Sequence, residues 1–418
     1  MHAAKRGVPH RSDPDNVHIV VEIDIIQPGV PVYNPTTTCD FECDVFAFDR
    51  NIKTPYMENY NLNIQQQLSS KTVLQVGYVG SQGHRLWRFF DLAQPSEAQI
   101  NAADIACNCI QDFGVDARPL AGNPYGAYYA LQENSTGRSN YNSLQVSLRV
   151  NGWHGVSSIV NYVYSKSLDN SSDGEDFVVN AAQPQDSTRP ELEYAPSNFN
   201  IPHRFTWNFS YDLPKMSGGW QKLKNGWGIN SVLTLQSGQP FNLNYNFWDD
   251  YSGSGNAIDR PDVVGPARIN ERDPFHFLDL SSYAIPCTVD PTQGANGFAS
   301  DCAIGTRHYG NMGRNSLSGP KFKEWNFSIY KHTAITERVT MKLGVDFFNM
   351  LNHPNFSNPL LPAFIADAAY PGTFKLTGNR EVTDGFLPIT ATGDVGIGNP
   401  FIGGGGPRGI QLSAVFKF

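Results

Sequence analysis

Short runs in which apolar and polar residues alternate with period two dominate the chain. Each run puts apolar side chains on one face of a strand and amide or hydroxyl side chains on the other. Successive runs are joined in pairs by short turns, which predicts β-hairpins. The predicted strands lie near residues 60–68, 74–78, 144–150, 160–164, 205–211, 229–235, 325–329, 339–347 and 411–418. A further strand is predicted at 18–26, where apolar and acidic residues alternate.

The connections between these strands alternate between short turns and long loops. The long ones cover residues 86–139, 169–199, 246–320 and 352–407. Loops of this size count against a compact soluble domain. They are typical of an outer-membrane barrel, whose short turns are periplasmic and whose long loops are extracellular. With that assignment the last strand runs toward the periplasm and leaves the C-terminus there.

Alternation by itself also suits a soluble sandwich that buries its apolar face. Strand lengths of about ten residues and aromatic residues near strand ends favour lipid instead. Those aromatic residues are Tyr162, Tyr164, Trp207, Tyr211, Trp227, Trp325 and Phe348. An unpaired backbone group in hydrocarbon costs several kcal/mol, so the sheet must close on itself or on a partner. We therefore predict an all-β fold: a portion of an antiparallel transmembrane β-barrel, with nine or ten strands and long extracellular loops.

Composition narrows the functional classes. Charged residues make up 17% of the chain, the net charge is −8, and no basic block occurs, so the sequence predicts no nucleic-acid partner. A mean hydropathy of −0.36 and the lack of a long apolar run exclude a transmembrane helix. Lys5 and Arg6 are not followed by an apolar stretch, so no secretory signal is readable, and an exported form would need a different N-terminus.

Six cysteines lie in stretches rich in Asn, Asp, Pro, Thr and Gly. They are Cys39, Cys43, Cys107, Cys109, Cys287 and Cys302. Their even number and close spacing favour local disulfides in an oxidising compartment. A zinc site is the first alternative, although no matching His pair or second Cys-x-x-Cys accompanies them. Free thiols in a cytosolic protein are the second alternative.

Other motifs give little support for a cofactor, a metal or catalysis. Residues 404–409 formally match G-x-G-x-x-G, but a strand follows instead of the helix that a dinucleotide site needs, so we expect no cofactor. Asp169, Ser171 and Asp173 resemble the first half of a calcium loop, yet Asn180 stands where the bidentate Glu should be, which favours a solvated acidic loop. Scattered histidines form no catalytic signature, so we expect no enzyme, and a hydrolase is a remote alternative.

Several segments, in fixed order, resemble the C-terminal barrel of TonB-dependent outer-membrane receptors of the Oar-like group. They include NIKTPYMENYNLNIQQQLSSKTVLQVGYVGSQGHRL, NYNSLQVSLRVNG, FNIPHRFTWNFSYDLP, YGNMGRNSLSGPKFKEWNFSIYK and VDFFNMLNHPNF. The resemblance begins near residue 47, so we divide the chain into an N-terminal segment (1–46) and part of an outer-membrane barrel (47–418). Members of this group usually carry a carboxypeptidase-regulatory-like domain ahead of a plug domain. The barrels of this group have about 22 strands around the plug. The present sequence predicts only nine or ten strands, and we recognise no plug domain or energy-coupling box in it.

The resemblance implies a cell outer membrane protein that binds or imports an unidentified ligand. Its implied partners are outer-membrane lipid, the barrel-assembly machinery, and the TonB system if a plug is supplied. Phe416 and Phe418 end an amphipathic strand and resemble the signal that the assembly machinery reads by edge pairing. The alternative is a secreted, soluble β-rich binding or adhesion protein with disulfide-tied loops.

Overall fold

The computed structural model describes residues 43–110, 127–172, 184–243, 252, 259–266, 269, 277–279, 282–290, 292, 301–356, 358 and 407–417. Strands dominate this part of the chain. In chain order they are β1 (Cys43–Phe48), β2 (Tyr56–Ser69), β3 (Thr72–Asp91), β4 (Ala127–Trp153), β5 (Val156–Asp169), β6 (Ala195–Pro196), β7 (His203–Asp212), β8 (Trp227–Gln236), β9 (Pro240–Phe241), β10 (Asp262–Val263), β11 (Tyr283–Ala284), β12 (Leu317–Ser318), β13 (Phe322–Ala334), β14 (Thr340–Phe348) and β15 (Gly409–Lys417).

Nine long strands form one antiparallel sheet in the order β15-β14-β13-β8-β7-β5-β4-β3-β2. Each of these nine strands pairs with the long strands that precede and follow it in the chain, whether the connection is a short turn or a long loop. The predicted antiparallel sheet is confirmed. The strand predicted at 18–26 lies outside the described residues.

Short pieces attach to this sheet or lie beside it. β1 pairs in parallel with the start of β4, and β6 pairs with the end of β5. Two small antiparallel pairs, β9 with β12 and β10 with β11, lie in the connection after β8. Two α-helices, α1 (Glu97–Cys107) and α2 (Gln221–Lys224), and a 3₁₀ helix (Pro190–Glu193) occupy connections. None of the helices in the described ranges is both long and apolar enough to cross a membrane.

The two ends of the sheet differ in the length of their connections. At one end the turns are short, covering residues 70–71, 154–155, 213–226 and 335–339. At the other end the connections are long, covering residues 92–126, 170–202, 237–321 and 349–408. The alternation of short and long connections that the sequence predicts is therefore present in the structure.

The strand register sorts the side chains into one apolar and one polar face. Directly paired residues form an apolar row across six strands: Leu74, Leu148, Val160, Trp207, Leu233 and Trp325. The neighbouring row, on the opposite face, is polar across seven strands: Gln65, Gln75, Ser147, Asn161, Thr206, Thr234 and Glu324. A slip of one residue in any strand would put its apolar set on the polar face.

The apolar face is exposed. Leu62, Ile64 and Leu412 keep 64%, 63% and 76% of their surface accessible. Polar groups on this face find partners within the sheet: the indole nitrogen of Trp207 donates to Ser158 Oγ (2.9 Å), and that of Trp325 donates to Ser231 Oγ (2.8 Å). A face built this way suits an apolar surrounding, because its side chains leave few unpaired polar atoms.

The first long connection is shorter than predicted. The sequence pattern places it at 86–139, but β3 continues to Asp91 and β4 already begins at Ala127. Register shifts flank Leu86, and Arg85 adopts a positive φ of 55°. Such bulges break the period-two alternation, so the pattern ends before the strand does. β1 lies in a part of the chain where the sequence pattern predicts no strand.

Candidate functional site

The long connections after β3, β5 and β8 fold together over one end of the sheet. Their described residues, within 92–110, 170–172, 184–202 and 237–321, are called the loop cap below. The cap has its own apolar core, which consists of Phe241, Leu243, Phe277, Leu278, Tyr283, Ile285, Cys302, Met312 and Leu317. All nine residues belong to the connection after β8, so this longest connection has an apolar core of its own.

A buried ion pair lies at the centre of the cap. Glu193 ends the 3₁₀ helix, and its side chain is 3% exposed. Both terminal nitrogens of Arg260 donate to this carboxylate: Nη2 to Oε1 at 2.7 Å and Nη1 to Oε2 at 2.9 Å. Arg260 Nε also donates to the carbonyl of Met312 (2.8 Å). This two-point geometry fixes the orientation of both side chains.

Arg314 ties the same centre to the end of β5. Its Nε donates to the backbone carbonyl of Glu193 (2.9 Å), and its Nη2 donates to the carbonyl of Asp169 (2.6 Å). The guanidinium also forms an ion pair with the Asp169 carboxylate and donates from Nη1 to Ser172 Oγ (3.1 Å). The YGNMGRNSLSGP segment is thereby fastened to the sheet by its arginine.

The electrostatic balance at this centre favours ionised Glu193. Burial alone would raise the pKa of the Glu193 carboxyl. The charges of Arg260 and Arg314, with hydrogen bonds from Arg260 and from the Gln185 backbone, outweigh burial and bring the pKa below its usual range. Buried charges are retained where they are paired and hydrogen-bonded, as they are here.

Amide side chains link the centre to the first connection. Gln94 Nε2 donates to the carbonyl of Gln185 (2.6 Å), while Gln94 Oε1 accepts from the backbone of Ser187 (2.5 Å). Gln185 in turn donates to the carbonyl of Gly310 (2.9 Å) and accepts from the backbone of Arg260 (2.7 Å). A Cβ at position 310 would collide with the Arg260 carbonyl, so glycine is required there.

A second junction joins α1 to the connection after β8. Asp104 and Arg307, each with a side chain 1% exposed, form an ion pair in which Oδ2 lies 3.1 Å from Nε. The side chain of Asn101 both donates to and accepts from the backbone of Arg307 (2.8 and 2.9 Å). Glu97 accepts from the backbone of Tyr309 (3.1 Å). The cap is thus held together by contacts between residues about 200 positions apart in the chain.

Disulfides and local caps stiffen the same region. Ser96 and Gln99 form a capping box at the start of α1. Cys107 is bonded to Cys109 just after the helix, and Cys287 is bonded to Cys302 within the connection after β8. Cys39 and the side chain of Cys43 lie outside the described residues.

One buried cation is only partly satisfied by the described residues. Arg88, in β3, donates from Nη1 to the carbonyl of Pro190 (3.4 Å) and lies 4.8 Å from the ring of Phe90. Its Nε and Nη2 have no hydrogen-bond partner there, and neither has Nδ2 of Asn134, its cross-strand neighbour. Buried donors without a partner weaken the polar network at this point.

The calcium-loop residues predicted from the sequence have other surroundings. Asp169 is buried, pairs with Arg314, and accepts from Ser172 Oγ at 2.9 Å with each carboxylate oxygen. Ser171 lies two positions after Asp169 in the chain, and Asp173 lies outside the described residues. No group of three or more His, Cys, Asp or Glu residues suited to a metal occurs among the described residues.

The remaining candidates lie away from the loop cap centre. Phe416 is half exposed on β15, where it pairs with Met341, and Phe418 lies outside the described residues. His203 stacks on Tyr162, whose hydroxyl lies 2.8 Å from Nδ1. Sequence reasoning missed Glu193 and Arg260, because the pair is separated by 67 positions and neither residue belongs to a local motif.

Comparison with known proteins adds the family. The chain matches the outer membrane beta barrel domain over residues 13–381. It belongs to this family of outer-membrane β-barrel proteins. The chain therefore lies in the cell outer membrane: the apolar face meets lipid, the short turns are periplasmic, and the loop cap is extracellular.

Solved structures give looser similarities. The outer membrane transporter YddB from Escherichia coli is 11% identical, with a TM-score of 0.38; the alignment covers 88% of this chain and 33% of that one. The pyoverdine receptor FpvA from Pseudomonas aeruginosa is 8% identical, with a TM-score of 0.36 and coverage of 88% and 30%. The chain thus spans about a third of their length. No curated protein sequence matches it.

Proposed function

We propose that this barrel is the C-terminal part of a TonB-dependent, Oar-like receptor that binds a ligand at its extracellular loops and takes part in its import. The observation that carries the proposal is the loop cap: three connections held in one arrangement by buried ion pairs above a membrane sheet. An ordered extracellular surface is what a receptor requires for selective binding.

The Oar-like assignment rests on the sequence motifs. The structure places one of them, YGNMGRNSLSGP, in the middle of the cap, where Arg314 joins two connections. FNIPHRF leads into β7, and NMLNHPNF follows β14, both at the extracellular end. These three motifs therefore lie at or beside the region proposed to bind ligand, whereas the other motifs lie along the strands.

The two other hypotheses fit less well. A secreted, soluble protein would need to cover its apolar face, yet Leu62, Ile64 and Leu412 are exposed in the described sheet. Membership of an outer-membrane barrel family favours a receptor or transporter over a hydrolase. Energised import would further need a plug domain to contact TonB, so transport is proposed for the complete receptor.

Genetic epistasis tests the proposal. Cells that encode this protein would be compared with a deletion strain on ferric chelates, oligosaccharides and peptides as sole sources of the limiting nutrient. We expect the deletion strain to grow more slowly than wild type on at least one source. On that source the double mutant, which lacks both this protein and TonB, should grow as well as the mutant that lacks TonB alone. A defect that adds to that of TonB loss, or equal growth on all sources, would contradict the proposal.

A further inference from the structure

The periplasmic connection between β7 and β8 has an unusual composition. This segment, residues 213–226 and called the lysine turn below, contains three lysines and no acidic residue. Besides the partly buried Leu213, it carries three large apolar residues, Met216, Trp220 and Leu223. Such a combination is typical of segments that lie against a membrane surface.

These three apolar residues of the lysine turn are exposed to an extent that is rare for a soluble surface. Trp220 is 81% exposed, Leu223 is 61% exposed, and Met216 is 49% exposed. The side chains of Lys215, Lys222 and Lys224 are exposed as well. Apolar and cationic groups therefore reach outward from the same short segment.

The turn is held against the sheet by contacts that leave these groups free. Lys331 Nζ donates to the carbonyls of Lys222 (2.8 Å), Leu223 (2.9 Å) and Asn225 (2.9 Å). The same ammonium lies 4.8 Å from the ring of Trp227. The ammonium of Lys331 is therefore occupied by contacts within the protein, whereas the three lysines of the turn are exposed and can contact a ligand.

Further contacts fix the direction in which the turn points. Asn225 exchanges two hydrogen bonds with the backbone of Met216 (2.7 and 3.1 Å). The indole of Trp227 donates to the carbonyl of Leu223 (2.8 Å). Trp220 has a positive φ of 62°, a conformation that is unfavourable for a residue other than glycine. The contacts around Asn225 and Trp227 keep this conformation in place.

The neighbouring periplasmic turns also have an exposed aromatic residue and an excess of basic residues. Trp153, at the end of β4, is 58% exposed, and its hairpin adjoins that of β7 through the pairing of Val156 with Tyr211. Residues 70–71, 154–155, 213–226 and 335–339 together carry five lysines and arginines and one acid, although the whole chain has a net charge of −8. The periplasmic rim is therefore cationic on an acidic protein.

From these observations we propose that the lysine turn binds anionic phospholipid headgroups of the periplasmic leaflet. Lys215, Lys222 and Lys224 contact the phosphates, while Trp220 and Leu223 insert at the level of the glycerol backbone. Basic residues close to an anionic membrane each strengthen binding about fivefold. Exposed indole and leucine side chains add apolar area at the same depth.

Lipid retention tests the proposal. The 418-residue protein would be folded in mixed micelles of detergent with equal amounts of phosphatidylglycerol and phosphatidylcholine, and the lipids retained per barrel would be counted by native mass spectrometry. We expect wild type to retain phosphatidylglycerol preferentially. K222Q/K224Q should lower that preference by about fivefold per lysine, and high salt should lower it in wild type.

The matched control is K53Q/K323Q, which removes the same charge from exposed positions at the extracellular end. It should keep the wild-type preference. An equal loss in both double variants, or no preference in wild type, would overturn the proposal. Heat-dependent gel mobility would establish that each variant is folded, and the salt dependence of wild type gives a readout that needs no substitution.

Discussion

At the residue scale, the loop cap depends on charges that cannot be removed one at a time without cost. Glu193 faces Arg260 directly and lies beside Arg314, with all three side chains nearly inaccessible to solvent. Removing one member of a buried pair leaves an uncompensated charge, which costs about 3–5 kcal/mol. Exposed pairs contribute far less.

Glu193→Gln should therefore loosen the cap by about 3–5 kcal/mol, since the buried guanidinium of Arg260 loses its two-point anionic partner. Hydrogen exchange of residues 184–202 in detergent micelles would measure the change as faster local opening. Glu191→Gln is the matched control, because Glu191 belongs to the same 3₁₀ helix but is exposed. Equal protection in the two variants would contradict the structural role assigned to Glu193.

His308 gives the cap a pH dependence. Its Nε2 lies 2.6 Å from Asp262 Oδ2, and this hydrogen bond, with the charge of Asp262, raises the pKa of the imidazole although partial burial opposes the change. A raised pKa means that folding favours the protonated form. The stabilisation is fully present below the unfolded pKa of about 6.5 and is lost as the pH rises through the folded pKa.

We expect residues 301–312 to open more readily in wild type as the pH rises from about 6 to about 8.5, after correction for intrinsic exchange. His308→Gln should remove most of this change, because glutamine does not titrate. His154→Gln, in a periplasmic turn, should leave it intact. Hydrogen exchange measures all three, and a wild-type cap with the same protection at both pH values would refute the prediction.

At the element scale, the strands are specified by which face each residue occupies. Leu233 pairs with Trp207 on one side and Trp325 on the other, within the apolar face. Val232 pairs with Asn208 and Asn326 on the amide face. Two consecutive residues of similar chemistry therefore have opposite surroundings, because successive side chains alternate across a sheet.

Substitution by arginine separates the two faces. Leu233→Arg should destabilise the barrel by about 2–4 kcal/mol, the cost of a basic side chain facing lipid at mid-depth. Val232→Arg should cost much less, because its side chain points to the amide face. Urea unfolding in phosphatidylcholine vesicles, followed by tryptophan fluorescence, compares them. Similar losses for both variants would mean that the face assignment is wrong.

Most of the strands, and the face on which each of their residues lies, could be predicted from the sequence. Period two marks the nine long strands and their faces, because alternation is a local property that needs no knowledge of partners. The prediction ended early in β3, where the bulge at Arg85 interrupts the alternation. The prediction also missed β1. Its six residues form a strand because they pair in parallel with β4, which is distant in the sequence, and the local pattern around β1 gives no sign of that pairing.

At the scale of the whole molecule, strand direction limits how the sheet is completed. The path from β2 to β15 contains nine antiparallel strands, so its first and last strands run in the same direction. Direct pairing of these edges would be parallel, whereas outer-membrane barrels are antiparallel. Antiparallel closure needs an odd number of further strands between them, and the strand predicted at 18–26 would meet that requirement.

Disulfide trapping tests this inference. A cysteine at Leu412 of β15, combined in turn with cysteines at Leu62, Ile64 and Leu68 of β2, should form no intramolecular bond in the folded protein. Cysteines at Val76 and Val146, which face each other across β3 and β4, provide the positive control. Efficient trapping of Leu412 with any of the three would show that the two edges meet directly.

The sequence by itself determined the strands, their two faces and the alternation of short and long connections, because these follow from local spacing and from the chemistry of single residues. It also indicated the membrane, since neither helices nor a soluble core account for the pattern. The tertiary structure decided the loop cap. Pairs such as Glu193 with Arg260 or Asp104 with Arg307 join distant segments, and their energy depends on burial and geometry that exist only after the chain has folded.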